Sequence, residues 1–547
     1  MKYKLLISCL LFSASLFAQS YTRSWRNCFG DDDAKTLSAS ATDGSDNLYV
    51  AGYLNLYSSH LQDSIYLRKY SPTGKLLWEA RELFTATTAW NLDVPLTVAA
   101  DRDGNVILAY SFSFVQSNLD AVVSKYNTAG KKLWQTVFDG PADPDNEQIR
   151  KLNIDSKGNI CLLVAENYNY ATVVTFNSKG RQLWYRDMKG IVIDDTPTDF
   201  QVKDATIDSA GNVYATGLSA RLHNGLYHDA LTYKFMANGD SAWRVRYGVN
   251  YTDHFPSKVM YAKGDNSVVL SGNKQGNDGD SVFAIKYTTA GKKKWIYMHQ
   301  PAAFGLIEHS LVDADNNILL VTNFATEPSP PPVLTKLSSS GSVLWTKNAF
   351  TVTSPPEPLY FILDAKTDAQ SNYYFVSNQN KGVLIQKFDK LGNLLTQLTE
   401  GIDSSVQVDY FGVKFVALHV GKSQSIYMPL TYTYNYIYSN SCLYKYTMKN
   451  TAAADAMYTT KTVPALSSNV ADLVYPNPAH DLVHVRVPAA ITSQYTIRVF
   501  DASGKQILTK QASGAQADVD IHALTPGLYI LKVMGKTGEA AYRFVKQ

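Results

Sequence analysis

Carboxylates crowd two short stretches of this 547-residue chain: Asp143, Asp145 and Glu147 in one, Asp194, Asp195 and Asp199 in the next. Two such groups held about 5–10 Å apart, one of them kept protonated, are what glycoside cleavage needs, whereas acids on solvated loops are the plainer reading. Tyr432, Tyr434, Tyr436 and Tyr438 alternate, so an extended backbone would set four rings along one side. Such a ladder offers apolar faces and hydroxyl tips to a sugar, or simply packs against a neighbouring sheet. Asp101-x-Asp103-x-Asn105 and Asp313-x-Asp315-x-Asn317 have the oxygen spacing of a calcium loop but lack the bidentate Glu that completes one, so a turn capped by Asp and Asn accounts better for them. His223, His228 and Asp229 share a loop with no further ligand in view. There is no Gly-x-Ser-x-Gly elbow, no His-Glu-x-x-His and no phosphate loop, and neither a metal nor another cofactor is expected. With 51 Lys and Arg against 48 Asp and Glu, scattered along the chain, no nucleic-acid partner is expected either.

The elements that must position these residues repeat. An aromatic residue, glycine four positions on and tryptophan four further recur at Tyr70/Gly74/Trp78, Tyr126/Gly130/Trp134, Phe176/Gly180/Trp184, Phe235/Gly239/Trp243 and Tyr287/Gly291/Trp295. Leu337/Gly341/Trp345 keeps the spacing with leucine first. The pattern predicts a β-hairpin with a left-handed glycine in its turn and the tryptophan on the strand that leaves it. Upstream of each hairpin stands a second phrase, clearest at Asp101-Arg-Asp-Gly-Asn105, and its relatives make eight copies. Four short strands per unit of about fifty residues is the signature of a β-propeller blade.

The ends of the array are uneven. The seventh unit has Thr396 where tryptophan is due, and the eighth ends at Lys445-Tyr446 with Asn450 in the glycine place. An orphan phrase carrying Trp25 opens the mature chain, so the first strand is expected to complete the last blade and close an eight-bladed ring; seven is the count if the decayed unit is no blade. This stretch, 21–450, resembles the β-propeller repeat proteins that bacteria export, a family without a shared catalytic site. Closure would bring Cys28 beside Cys442, although the simplest turn register leaves them one position out and on opposite faces, which a bulge would correct. Cys161, in an apolar run, reads as core.

Residues 1–18 read as a secretory signal, with Lys2 and Lys4 before an apolar run from Leu5 to Phe17. The run continues past Cys9, which argues against lipidation there. After a linker at 451–472, alternating strands predict a small immunoglobulin-like sandwich over 473–547. Tyr475-Pro476-Asn477-Pro478, the hairpin around Gly504, Leu524-Thr-Pro-Gly527 and the finish Arg543-Phe-Val-Lys546 resemble, in order, the C-terminal sorting domain of the type IX secretion system. That resemblance implies secretion to the bacterial surface or beyond and recognition of the tail by the secretion machinery.

Connection lengths among the repeats vary only between the second and third strands and between successive units, and both kinds emerge on one face. Binding of an extracellular glycan or protein is therefore expected there, with a polysaccharide hydrolase or lyase and a non-catalytic scaffold as the alternatives.

Overall fold

The computed structural model describes residues 19–547 except 30–33, 56–63, 84–95, 116–117, 141–146, 167–169, 189–191, 194–195, 198–199, 223–225, 250, 277–278, 302–304, 325–329, 350–360, 380–381, 402–412, 435–437, 451–473, 488–493, 502–505 and 536–537. The chain separates into two compact units, Met1–Thr451 and Ala452–Gln547. Both are all-β, and no helix among the described residues is long and apolar enough to cross a membrane.

Seven four-stranded antiparallel sheets follow one another in the first unit, over 34–83, 96–138, 147–188, 200–247, 252–299, 305–348 and 362–401. An eighth takes Val413–Phe415 and His419–Val420 as its first strand, then Ile426–Tyr434 and Tyr438–Asn450, and Gln19–Phe29 from the start of the chain as its last. These sheets are consistent with propeller blades. Each adjacent pair encloses its own apolar cluster, and the series closes: Leu37, Leu48 and Tyr66 of the first sheet pack on Tyr427 and Leu443 of the eighth, with Trp25 and Phe29 against them.

The aromatic-glycine-tryptophan phrase does more than turn a hairpin. Its glycine and its tryptophan do not meet each other. The tryptophan of each sheet lies instead on the glycine of the next, so that a Cβ on Gly130 would stand 2.7 Å from the Trp78 ring and one on Gly74 2.7 Å from Trp25. Trp134 covers Gly180 in the same way, Trp184 covers Gly239, Trp295 covers Gly341 and Trp345 covers Gly392. These glycines also hold φ near +80°, which a side chain resists (Gly130 φ 83°). The indole N–H then donates to a carbonyl of that same turn: Trp25 to Pro72 O at 3.0 Å, Trp78 to Thr128 O at 2.9 Å, Trp243 to Thr289 O at 2.9 Å. Trp134 does so to Ser178 O at 3.1 Å, Trp184 to Ala237 O at 2.9 Å, Trp295 to Ser339 O at 3.0 Å and Trp345 to Lys390 O at 3.2 Å. The hairpins form as expected, with Trp134, Trp184, Trp295 and Trp345 on the strands that leave the turns; the rings serve the joint to the following sheet. The lysine before the aromatic residue reaches the same oxygen in several sheets, Lys445 Nζ to Pro72 O at 2.8 Å and Lys234 Nζ to Thr289 O at 2.8 Å. Where Thr396 replaces tryptophan, the joint between the seventh and eighth sheets is polar instead, with Glu400 taking Arg23 at 2.8 Å and the Tyr446 hydroxyl at 2.6 Å.

Trp25 pairs with Lys445, as ring closure requires, and Cys28 lies directly opposite Cys442 in a disulfide. The plain register is wrong by one because the strand skips between Arg23 and Trp25. The same irregularity recurs after each third strand, for example between Lys69 and Tyr70, so the bulge belongs to the repeat itself. Cys161 is a free thiol whose pKa burial pushes up to about 12.

The second unit packs a three-stranded sheet (Val474–Tyr475, Leu482–Arg486, Gln516–Asp520) with a four-stranded one (Gln506–Ala512, Tyr495–Phe500, Gly527–Gly535, Gly538–Lys546) around Val483, Val485, Ile497, Val519, Leu531 and Phe544. Its opening motif fastens its final strand: Asn477 Oδ1 accepts Val545 N–H at 2.9 Å and Ala479 N–H donates to Val545 O at 2.8 Å. Gly504 lies outside the described residues.

Candidate functional site

The two ends of the first unit are built differently. At one end lie the turns. In each clear Asp-turn the carboxylate caps its own loop: Asp101 Oδ1 accepts the N–H groups of Asp103 at 3.0 Å and Asn105 at 2.9 Å, while Oδ2 takes Asn105 Nδ2 at 2.9 Å and Lys125 Nζ at 2.8 Å. Asp313 repeats this with Asp315, Asn317 and Lys336. Both oxygens of each aspartate are engaged within the fold, as the turn-capping account has it. These contacts outweigh burial and hold the Asp101 carboxyl below the usual range.

At the opposite end begin the first strands of the sheets: Ala34–Thr42, Leu96–Ala100, Glu147–Ile154, Phe200–Ile207, Thr252–Ala262, Gly305–Val312 and Ile362–Thr367, with the split eighth. They contact one another in succession and so surround the axis. Six carry a one-residue bulge, at Ser38, Arg150, Lys203, Ser257, Glu308 and Leu363. A bulge frees a backbone N–H, and the preceding sheet supplies its acceptor: Ser111 Oγ for Ile149 at 3.0 Å, Asn273 Oδ1 for Ile307 at 2.7 Å, Asn323 Oδ1 for Ile362 at 3.0 Å. Arg150, Lys203 and Glu308 are exposed although neighbours such as Ile149 and Ile307 are buried; with their strands paired on the outer side, that exposure is to the axial channel.

The belt that results is strongly ionisable. Desolvation and then the Arg150 charge hold the Lys203 ammonium below the ordinary lysine range. Burial depresses His309, which lies among Asp364, Lys258, Glu308 and Lys366. Burial would raise Asp364, but Lys366, the Leu418 N–H and His309 outweigh it and leave the carboxyl low. Burial, then Lys366, brings His419 down to about 4, and its Nε2 meets Ser40 Oγ at 2.7 Å across the closing joint. None of these residues stood out by type or motif. A signal was there: the bulged residue lies five positions before the turn aspartate at Ser38, Arg150, Lys203, Glu308 and Leu363.

The expected site residues fare differently. Asp143, Asp145, Asp194, Asp195, Asp199 and His223 lie outside the described residues; Asp194 and Asp195 fall between the short paired strands Val192–Ile193 and Thr196–Pro197. Glu147 is no loop acid: it is buried at the head of its strand, and its Oε1 accepts Gly140 N–H at 2.8 Å. The tyrosine ladder on one extended strand does not form, because the chain turns back within it. Tyr432 and Tyr434 end one strand, Tyr438 opens the next opposite Tyr434, and Tyr436 lies outside the described residues. His228 Nδ1 meets Asp253 at 3.0 Å, whereas Asp229 holds Arg246, so the two face different partners. A further acid sits at this end: burial and then Asp139 raise the Asp120 carboxyl.

Comparison with known proteins speaks to one unit. Among solved structures, Sqt1 from Chaetomium thermophilum overlaps at 10% identity and a TM-score of 0.45, covering 78% of this chain and 99% of its own. A eukaryotic initiation factor overlaps at 10% identity and 0.37, covering 89% and 90%. Prolyl oligopeptidase B from Galerina marginata does so at 10% and 0.39, covering 73% and 56%. Overlaps this loose speak neither for nor against any activity. No curated protein matches the sequence. Residues 473–547 match the family described as the secretion system C-terminal sorting domain, and the chain therefore ends in a type IX sorting tail that directs export to the cell surface or the extracellular space.

Proposed function

We propose that this chain is an eight-bladed β-propeller, exported through its immunoglobulin-like tail, that binds an extracellular glycan or protein where the variable connections surround the mouth of the axial channel. The tail, after a linker at 451–472, is the part that meets the secretion machinery. One observation carries the reading: the turn end spends its polar side chains on joining sheets, while the bulges at the other end turn Arg150, Lys203 and Glu308 toward the lumen, where Arg150 and Lys203 have no ion-pair partner among the described residues. Asp143, Asp145, Asp194, Asp195 and the tyrosines from Tyr432 to Tyr438 belong to connections at that same end and are proposed contacts. Probing a glycan and peptide array with the full mature chain tests this; retention of one ligand class without turnover is expected, and silence across both arrays favours a scaffold.

A second reading rests on Asp120. A carboxyl raised by burial with a second acid, Asp139, near it is the combination that acid–base cleavage of a polysaccharide uses. Released oligosaccharide product, abolished in Asp120→Asn, would decide for it.

A further inference from the structure

The channel wall is not evenly charged. Three successive inner strands carry Arg150, Lys151, Lys203 and Lys258; of their three carboxylates, Glu147 is buried on Gly140 N–H and Asp253 meets His228, which leaves Asp204. Asp204 is already committed, with Oδ1 on Lys151 Nζ and Oδ2 accepting Val259 N–H at 3.0 Å. Arg150 Nη2 donates only to the neutral Gln148 amide oxygen, at 3.0 Å. Among the described residues neither Lys203 nor Lys258 has an ion-pair partner, and Lys203 feels Arg150 as a like charge from the neighbouring sheet. Arg150 and Lys203, left uncompensated on adjacent strands, repel each other, a cost that a bound anion would remove. The next two strands carry acids: Glu308 and Asp364 stand on the sixth and seventh inner strands, the first bonded to Asn323 Nδ2 at 2.6 Å and the second to Lys366 at 2.9 Å.

We propose that Arg150, Lys203 and Lys258 form a binding site for an anionic sugar, one bearing a carboxylate or a sulfate ester. The proposal rests on the reading that ligands enter at the loop end of the channel, and narrows it to one chemistry. Arg150 and Lys203 stand three residues inside their strands, about 10 Å below that end at the usual rise per residue, within reach of a sugar entering the mouth. The guanidinium fork suits a planar carboxylate or two sulfate oxygens, and the ammonium groups on the next two strands add point charges. Glu308 and Asp364 on the next two strands repel a second anion and turn the hydroxyl face of the sugar toward themselves, so the site reads orientation as well as charge.

Titration calorimetry of the full mature chain with hexagalacturonate, a sulfated heparin hexasaccharide and neutral xylohexaose tests the site and separates the two anion sources. One of the anionic probes is expected to bind, to weaken as salt rises, and to lose about tenfold or more in Lys203→Gln and Lys258→Gln. Lys131→Gln, at the turn end, should leave affinity unchanged, and circular dichroism should report every variant folded. Xylohexaose binding as tightly, with no response to Lys203→Glu, overturns the inference while leaving loop-end binding intact. Failure of both anionic probes, or anionic binding indifferent to Lys203 and Lys258, overturns it equally.

Discussion

His419 couples the inner belt to acidity. Burial and the Lys366 charge bring its imidazole down to about 4, whereas an unfolded chain titrates it near 6.5. Between those values the unfolded chain binds the extra proton, so stability is fully present above pH about 6.5 and is lost as the pH falls toward 4. The thermal midpoint should therefore decline through that window, before the lowered carboxylates Asp43, Asp101 and Asp265 begin to protonate, and His419→Asn should flatten the decline. A profile unchanged by that substitution would contradict the assignment. At this scale the sequence is least legible. The residues that face the lumen are ordinary Arg, Lys and Glu, and only a backbone irregularity turns them there; of the acids that crowd the sequence, all but Glu147 lie beyond the described residues.

Tryptophan on glycine is the element-scale device, repeated from joint to joint. Gly130→Ala meets two penalties: about 1 kcal/mol for a left-handed backbone and about 1–3 kcal/mol for forcing a methyl into the Trp78 ring. Gly104→Ala meets only the first, since its nearest neighbour would be Thr128 at 3.4 Å with φ +78°. Thermal unfolding should drop clearly further for Gly130→Ala; equal drops would show that the ring contact contributes little. This element was legible because one glycine answers two demands at a fixed spacing. What the spacing hid was the partner: Trp134, Trp184, Trp295 and Trp345 each stand four residues from one glycine yet rest on another, about fifty residues further along the chain. The tyrosine run misled because alternation alone cannot reveal a hairpin without Gly or Pro in its turn, and Tyr434 pairs with Tyr438 across it. Register at the cysteines was off by one because a bulge leaves no residue-type mark.

At the scale of the whole molecule, the first described strand is sewn to the last strand of its own unit, removing two free sheet edges. The Cys28–Cys442 bond spans 414 residues of chain, so it restrains the unfolded state strongly; reduction should cost about 2–5 kcal/mol and lower the thermal midpoint, while Cys161, buried and sealed in its own core, should stay unreactive until the chain unfolds. Under denaturing conditions a thiol assay on the mature chain should count Cys161 alone before reduction and all three cysteines after. The most direct test of closure is peptide mapping of the unreduced protein by mass spectrometry. The ring predicts a single cross-linked species joining the peptide of Cys28 to that of Cys442, with Cys161 free; Cys28 recovered unlinked, or joined to Cys161, would contradict it.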